Sequence, residues 1–283
     1  MKQPRFLVPN ITSRCNANCI FCSRRYARDT SDMDFDLYAR MIDGCPGAQW
    51  VLPITYGEPL LHPRVVDMVK YATDRGKMVK LYTNASLLDE KMAQALLDAG
   101  LNILVCSVDD CDAASYEKMR RGLSFQAVRS NIERFVGLRN SAGYTTQVIA
   151  QAVVSVENEW RIDQVKAFWQ QRVDLVATPK EFDYAAYGPP KQKWYTGRPL
   201  AYCERLNEHL TVLQDGTVVM CCMDQGYYPV GDLKTQTPLE AFNSPEFEMI
   251  RTALNTGENY PYMCHLCLSL SRRRKPYSEE RIE

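Results

Sequence analysis

The chain has 283 residues, 46% of them hydrophobic and 24% charged, with a formal net charge of zero. That composition suits a folded protein with a full core, so disorder is not the default. No basic stretch interleaved with aromatics points to nucleic acid, and no apolar run forms a signal peptide or reaches bilayer-spanning length. The expectation is a cytoplasmic protein with neither a nucleic-acid nor a membrane partner.

Apolar runs at Phe6–Ile11, Trp50–Thr55, Met78–Thr83, Ile103–Val108, Thr146–Val156 and Val173–Thr178 predict six strands. Between them, amphipathic stretches at Phe35–Asp43, Pro63–Arg75, Asp89–Ala99, Phe125–Arg139 and Glu159–Gln171 predict helices, with Gly76 and Gly100 as stops. This alternation predicts an α/β fold with a parallel sheet. Six units are too few to close an eight-stranded barrel, which leaves an open, partial barrel whose free edge a second domain or the substrate covers.

Residues 1–178 form this first predicted domain, and residues 179–202, rich in proline and tyrosine, read as a linker or active-site loop. Within that loop Tyr184, Tyr187, Lys191, Lys193, Trp194, Tyr195 and Arg198 are candidates for a substrate entrance, with ordinary loop packing as the alternative. Residues 203–283 predict a small α+β domain. In it, His209–Leu213 and Thr217–Met220 pair as a hairpin about Gln214-Asp215-Gly216, and Pro238–Leu254 forms one amphipathic helix. The closing basic run, Arg272 to Lys275, reads as a solvated tail.

Eleven cysteines without a signal peptide point to metal ligation rather than disulfides. Only three histidines are present and the cysteine spacings form no standard pair of zinc knuckles, so soft thiolates holding iron–sulfur are favoured. Cys15, Cys19 and Cys22 follow directly after the first predicted strand. Three thiolates from one loop leave one iron of a four-iron cluster open to a ligand. Free thiols, or a zinc loop with a distant fourth ligand, are the alternatives.

The Cys-x3-Cys-x2-Cys spacing, with Phe21 before the last cysteine, resembles the radical S-adenosylmethionine (SAM) superfamily. The resemblance implies a partial (β/α)6 barrel and a [4Fe–4S] cluster on Cys15, Cys19 and Cys22, whose open iron chelates the SAM amino and carboxylate groups. Gly57-Glu58-Pro59, after the second strand, resembles the motif that receives the SAM ammonium, with Gly57 letting backbone approach the ligand. Thr83, Asn84, Ser107 and Asp109 resemble positions that touch SAM or substrate, and strand alternation places the last two on one face. Arg120 or Arg121 is a candidate for the SAM carboxylate or a substrate anion. Turn, strand-end and solvated-loop roles remain open for these polar residues.

Cys203, Cys221, Cys264 and Cys267 resemble the auxiliary-cluster domain called twitch, related to the longer SPASM domain. That implies a second [4Fe–4S] cluster, with a structural zinc as the alternative. Cys222 is left without a ligand role, and Cys45, Cys106 and Cys111 read as ordinary buried or half-buried thiols. In radical SAM epimerases of peptides and aminoglycosides, a cysteine near the auxiliary cluster returns hydrogen to the substrate radical, which implies that role for Cys222, with an unused second thiol of a cysteine pair as the alternative. The cysteine order also resembles 2-deoxy-scyllo-inosamine dehydrogenase.

The resemblance therefore implies hydrogen abstraction from a polar small molecule such as an aminocyclitol, sugar or antibiotic intermediate. Epimerisation with Cys222 as donor leads, and dehydrogenation follows. Peptide modification is third, because the fourteen residues before Cys15 leave no room for a leader-binding domain. A non-catalytic iron–sulfur or zinc scaffold is the remaining class. An electron donor such as flavodoxin or ferredoxin is the implied protein partner. The absence of P-loop and GxGxxG fingerprints gives no sign of another nucleotide cofactor.

Overall fold

The computed structural model describes residues 1–26, 30–53, 56–179, 194–197 and 202–272. Strands β1 (Phe6–Pro9), β2 (Trp50–Val51), β3 (Met78–Thr83), β4 (Ile103–Ser107), β5 (Gln147–Gln151) and β6 (Leu175–Ala177) lie side by side in sequence order, all parallel. Helices α1 (Phe35–Asp43), α2 (Val65–Thr73), α3 (Glu90–Asp98), α4 (Ala113–Met119), α5 (Phe125–Ala142) and α6 (Ile162–Gln170) supply the connections. A single 3-10 turn, Pro59–Leu61, follows β2.

Local chemistry explains the helix starts. Asp34 caps α1 by accepting from the backbone N–H groups of Asp36 and Leu37, Asp89 caps α3, and Ser124 caps α5. Strands β1, β4 and β5 are buried along most of their length, whereas β3 alternates and β6 is only half-buried at best. On β4, Leu104 and Cys106 face the main core with Phe135 and Trp169, whereas Ile103 and Val105 pack with Ile149 in a second apolar cluster.

The C-terminal part contains β7 (Trp194–Tyr195), α7 (Glu204–Glu208), β8 (His209–Val212), β9 (Thr217–Val219) and β10 (Pro229–Asp232). It ends with α8 (Pro238–Phe242), α9 (Pro245–Thr256), β11 (Tyr260–Pro261) and α10 (Tyr262–Arg272). The predicted hairpin is present as β8 and β9, and Gly216 adopts φ 95 in its turn, the backbone conformation that glycine tolerates without penalty. The hairpin continues the barrel sheet. β8 pairs parallel with β1 from Phe6 opposite His209 to Pro9 opposite Val212, giving a nine-stranded order β10-β9-β8-β1-β2-β3-β4-β5-β6.

Three expectations need correction. The single helix over Pro238–Leu254 is two helices, because Ser244 caps a new start and Pro245 occupies its first turn. The expected linker holds β7, which pairs antiparallel with β11. Helix α4 was not expected at all; it buries only Tyr116 and Met119 and starts at the Asp112 cap. Tyr184, Tyr187, Lys191, Lys193, Arg198 and the basic run beyond Arg272 lie outside the described residues, as do Ile54 and Thr55 at the end of the second predicted strand. Among the described residues, no helix is long and apolar enough to cross a membrane.

Candidate active site

The cysteine loop leaves the C-terminal end of β1, where Pro9 ends the strand and Asn10 Oδ1 accepts from the Tyr56 N–H. Cys15, Cys19 and Cys22 are half-buried. Burial pushes the Cys15 thiol up and takes that of Cys19 up to about 11, and the nearby Cys22 sulfur adds to both. Hydrogen-bond donors face these sulfurs: the backbone N–H groups of Ala17 and Arg24 lie 3.5 and 3.4 Å from Cys15 and Cys22, and Arg120 Nη1 lies 3.9 Å from Cys19. Soft donors on one loop, with N–H and guanidinium groups turned toward sulfur, fit an anionic iron–sulfur cluster.

Gly57 explains how the second motif reaches this loop. Its φ is 116, and the space a side chain would need is taken by the chain's own Thr12–Arg14 backbone. The neighbouring Glu58 N–H donates to the Arg14 carbonyl at 2.8 Å. Glu58 is buried, and its carboxylate accepts from Thr83 Oγ1 at 2.6 Å, from the Asn84 N–H at 2.7 Å and from the Leu60 N–H at 3.1 Å. Burial pushes this carboxyl up, against those hydrogen bonds. Pro59 starts the 3-10 turn that Glu58 caps. Asn84 Nδ2 then donates to Asn16 Oδ1 at 2.9 Å, linking the end of β3 to the cysteine loop.

Ser107 closes β4 and remains half-buried. The expected sharing of a face with Asp109 fails, because the strand ends at Ser107 and Asp109 turns into the left-handed region at φ 43. Asp109 is fully buried and is engaged by the chain itself: it pairs with Arg120 Nη2 at 2.6 Å and accepts from the Val153 N–H at 2.8 Å. Burial would lower the Arg120 pKa, but Asp109 and Cys19 reverse the effect and keep the guanidinium charged. Arg121 is exposed.

The second cysteine set also converges. Cys264 feels Cys203 and Cys267, and Cys221 feels Cys222 and Cys264, each in addition to a dominant upward push from burial. Arg205, on α7 just after Cys203, is raised by Cys222 foremost and also by Cys221, Cys267 and Cys203. Cys45 and Cys106 are buried and Cys111 half-buried, as expected. Among the described residues, no group of three or more His, Cys, Asp or Glu side chains is gathered closely enough to hold a single metal ion.

Sequence reasoning misses four residues that organise this region: Asn16, Arg24, Tyr56 and Gln225. Arg24 Nη2 donates to the Ala17 carbonyl at 3.2 Å across the cysteine loop, and Gln225 Nε2 donates to the Ser23 carbonyl at 3.0 Å. Tyr56 Oη donates to the Cys222 carbonyl at 3.2 Å. For Asn16 and Tyr56 the available signal is position, inside one motif and directly before the other. Gln225 carries none.

A profile of the radical SAM superfamily matches residues 9–150, half of the chain. The chain belongs to that superfamily. A second profile, an iron-sulfur cluster-binding domain named SPASM, matches residues 203–268 and takes in Cys203, Cys221, Cys264 and Cys267 together with Cys222. The two domains imply [4Fe–4S] clusters and SAM as cofactors, which sets aside the zinc alternative.

Among curated relatives, the chain is 27% identical over 169 residues to the tungsten-containing aldehyde ferredoxin oxidoreductase cofactor-modifying protein of Pyrococcus furiosus, covering 58% of this chain and 48% of that protein. It is 32% identical over 122 residues to the AdoMet-dependent heme synthase of Methanosarcina barkeri, covering 41% and 34%. It is 27% identical over 204 residues to the GTP 3',8-cyclase of Chlorobaculum tepidum, covering 71% and 59%. The chain thus spans roughly a third to three fifths of the length of these relatives.

Among solved structures, Streptococcus suis SuiB bound to S-adenosylmethionine superposes with a TM-score of 0.68 at 14% identity, covering 89% of this chain and 68% of that one. BtrN in complex with AdoMet and 2-DOIA superposes with a TM-score of 0.58 at 18% identity, covering 91% and 89%. At these identities the likeness establishes the fold.

Proposed function

We propose that this radical SAM enzyme removes a hydrogen atom from a C–H bond of a polar small molecule, such as an aminocyclitol, sugar or antibiotic intermediate, and returns one from Cys222 to the opposite face. The product is an epimer. The observation that carries this reading is the Tyr56 Oη to Cys222 carbonyl hydrogen bond of 3.2 Å. It ties the residue beside Gly57 to a cysteine that the four-thiolate set does not need.

When bound at Cys15, Cys19 and Cys22, the [4Fe–4S] cluster with SAM supplies the 5′-deoxyadenosyl radical that takes the hydrogen. Glu58 and Asn84 hold the β2 and β3 ends against the cysteine loop and are the residues that would hold SAM and orient it. Arg120, held by Asp109, places positive charge beside the Cys19 sulfur. Cys222 Sγ–H has a weak bond, so its hydrogen passes to the carbon radical; one electron from a flavodoxin- or ferredoxin-type donor and one proton from solvent then restore the thiol.

Dehydrogenation is the second reading, with the auxiliary cluster on Cys203, Cys221, Cys264 and Cys267 accepting the electron. The parallel pairing of β8 with β1 supports it, because it joins the C-terminal segment to the barrel sheet. Turnover of an aminocyclitol in deuterium oxide separates the two. Epimerisation places one deuterium on the product carbon, and Cys222→Ala abolishes inversion while 5′-deoxyadenosine still forms. A product lighter by two hydrogens, made equally well by Cys222→Ala, refutes epimerisation.

A further inference from the structure

Helix α4 brings its C-terminal residues alongside the cysteine loop. The Asn18 N–H donates to the Arg121 carbonyl at 2.8 Å, and the Ile20 N–H donates to the Met119 carbonyl at 3.0 Å. These two bonds bracket Cys19 on one segment and Arg120 on the other, so backbone register sets the two residues opposite each other. Gly122, at φ 90, follows directly; a Cβ there would stand 3.3 Å from the Asn16 carbonyl oxygen.

The Arg120 side chain is aimed as closely as its backbone. Asp109 accepts from Nε at 2.7 Å and lies 2.6 Å from Nη2, which fills that edge of the guanidinium. Asp109 is itself fixed: its carboxylate accepts from the Val153 N–H at 2.8 Å, and Asn158 Nδ2 donates to the Asp109 and Val153 carbonyls at 2.7 and 2.9 Å. Nη1, outside the filled edge, faces Cys19 Sγ at 3.9 Å. The centroid of the Phe21 ring, between Cys19 and Cys22, is 5.6 Å from Arg120 Cζ. Both members of the ion pair are buried, so water and salt screen the charge weakly.

A fixed positive charge beside a cluster ligand favours the state that carries one more electron. Reduction brings in one electron from the flavodoxin- or ferredoxin-type donor and makes or breaks no bond in the protein. The charge therefore acts on the equilibrium alone.

We propose that Arg120 is an electrostatic tuning residue for the cluster on Cys15, Cys19 and Cys22, with Asp109 as its positioning residue: the guanidinium held at the Cys19 sulfur raises the potential at which that cluster takes its electron. The inference rests on membership of the superfamily and holds whichever reaction follows hydrogen abstraction.

The test is an EPR-monitored redox titration of the anaerobically reconstituted full chain, following the part of the reduced-cluster signal that changes when SAM is added. Arg120→Met shifts the equilibrium about tenfold toward the oxidised form, a potential lower by about 59 mV for a one-electron couple. That variant leaves Asp109 buried without its cation, so the double variant Arg120→Met/Asp109→Asn is titrated beside it. With no unpaired acid left it folds, keeps full iron and still titrates below the wild type. Arg120→Lys keeps the charge and titrates close to the wild type, and the signal that SAM leaves unaltered is unmoved in all three. An unchanged potential in the double variant overturns the proposal; weaker SAM binding in the same variant would then give Arg120 to the SAM carboxylate. An equal fall in Arg120→Lys, or an equal shift of the SAM-insensitive signal, shows that a local charge is not the cause. Loss of iron from the double variant overturns it too, because the pair would then serve to hold the loop.

Discussion

Replacing Gly57 with alanine would place a methyl group 2.4 Å from the Thr12 carbonyl oxygen and 2.7 Å from that of Arg14. Both neighbours are backbone, so no side chain can swing aside. The left-handed φ of 116 adds conformational strain of about 1–3 kcal/mol for an L-residue. Overpacking adds about 1–3 kcal/mol more, giving a central expectation near 4 kcal/mol. For a chain of this size that lowers Tm by about 10 °C. The local effect is greater, because the Glu58 N–H bond to Arg14 is what keeps the β2 loop against the cysteine loop. Differential scanning calorimetry of the anaerobic protein, with iron analysis of the same sample, checks both. A variant within about 2 °C of the wild-type Tm, with full iron and an unchanged spectral response to SAM, would refute the reasoning.

Replacing Cys15, Cys19 and Cys22 together with alanine should leave about four irons of about eight and abolish 5′-deoxyadenosine formation; persistent formation on that variant contradicts the assignment. Arg120→Met leaves Asp109 buried without its cation and should cost about 3–5 kcal/mol in urea unfolding, with part recovered by adding Asp109→Asn. His209 is held neutral, its pKa lowered to about 4 by burial and by Arg205. A folded-state value below the unfolded one means that protonation favours the unfolded chain, so stability is lost as pH falls from about 6.5 toward 4. Between pH 7 and 5 the loss should be about 2 kcal/mol from this residue, read as the difference in pH dependence between wild type and His209→Gln.

What could be read from the sequence was whatever is encoded locally. Helix α1 and strand β3 fall where the pattern puts them, because Asp34 caps the first and alternating burial marks the second. The three-cysteine loop and Gly57-Glu58-Pro59 are likewise short-range signals. The break at Ser244-Pro245 was also local, a cap followed by a first-turn proline, but the continuous apolar pattern across it dominated the reading. Other features depend on distant partners. Nothing near Asp109 announces Arg120, nothing near Gln225 announces Ser23, and the two-residue strands β7 and β11 exist only through each other.

The seating of β1 between β2 and β8 sets an order of events during synthesis. One edge of β1 has no neighbour until residues 209–212 have left the ribosome, so the nascent barrel carries an unsatisfied strand through most of translation. The iron-binding loop hangs from the end of that same strand. Cluster insertion before the chain is finished would therefore act on a half-built support, and the cellular assembly machinery meets a settled acceptor only after the C-terminal hairpin has zipped into place.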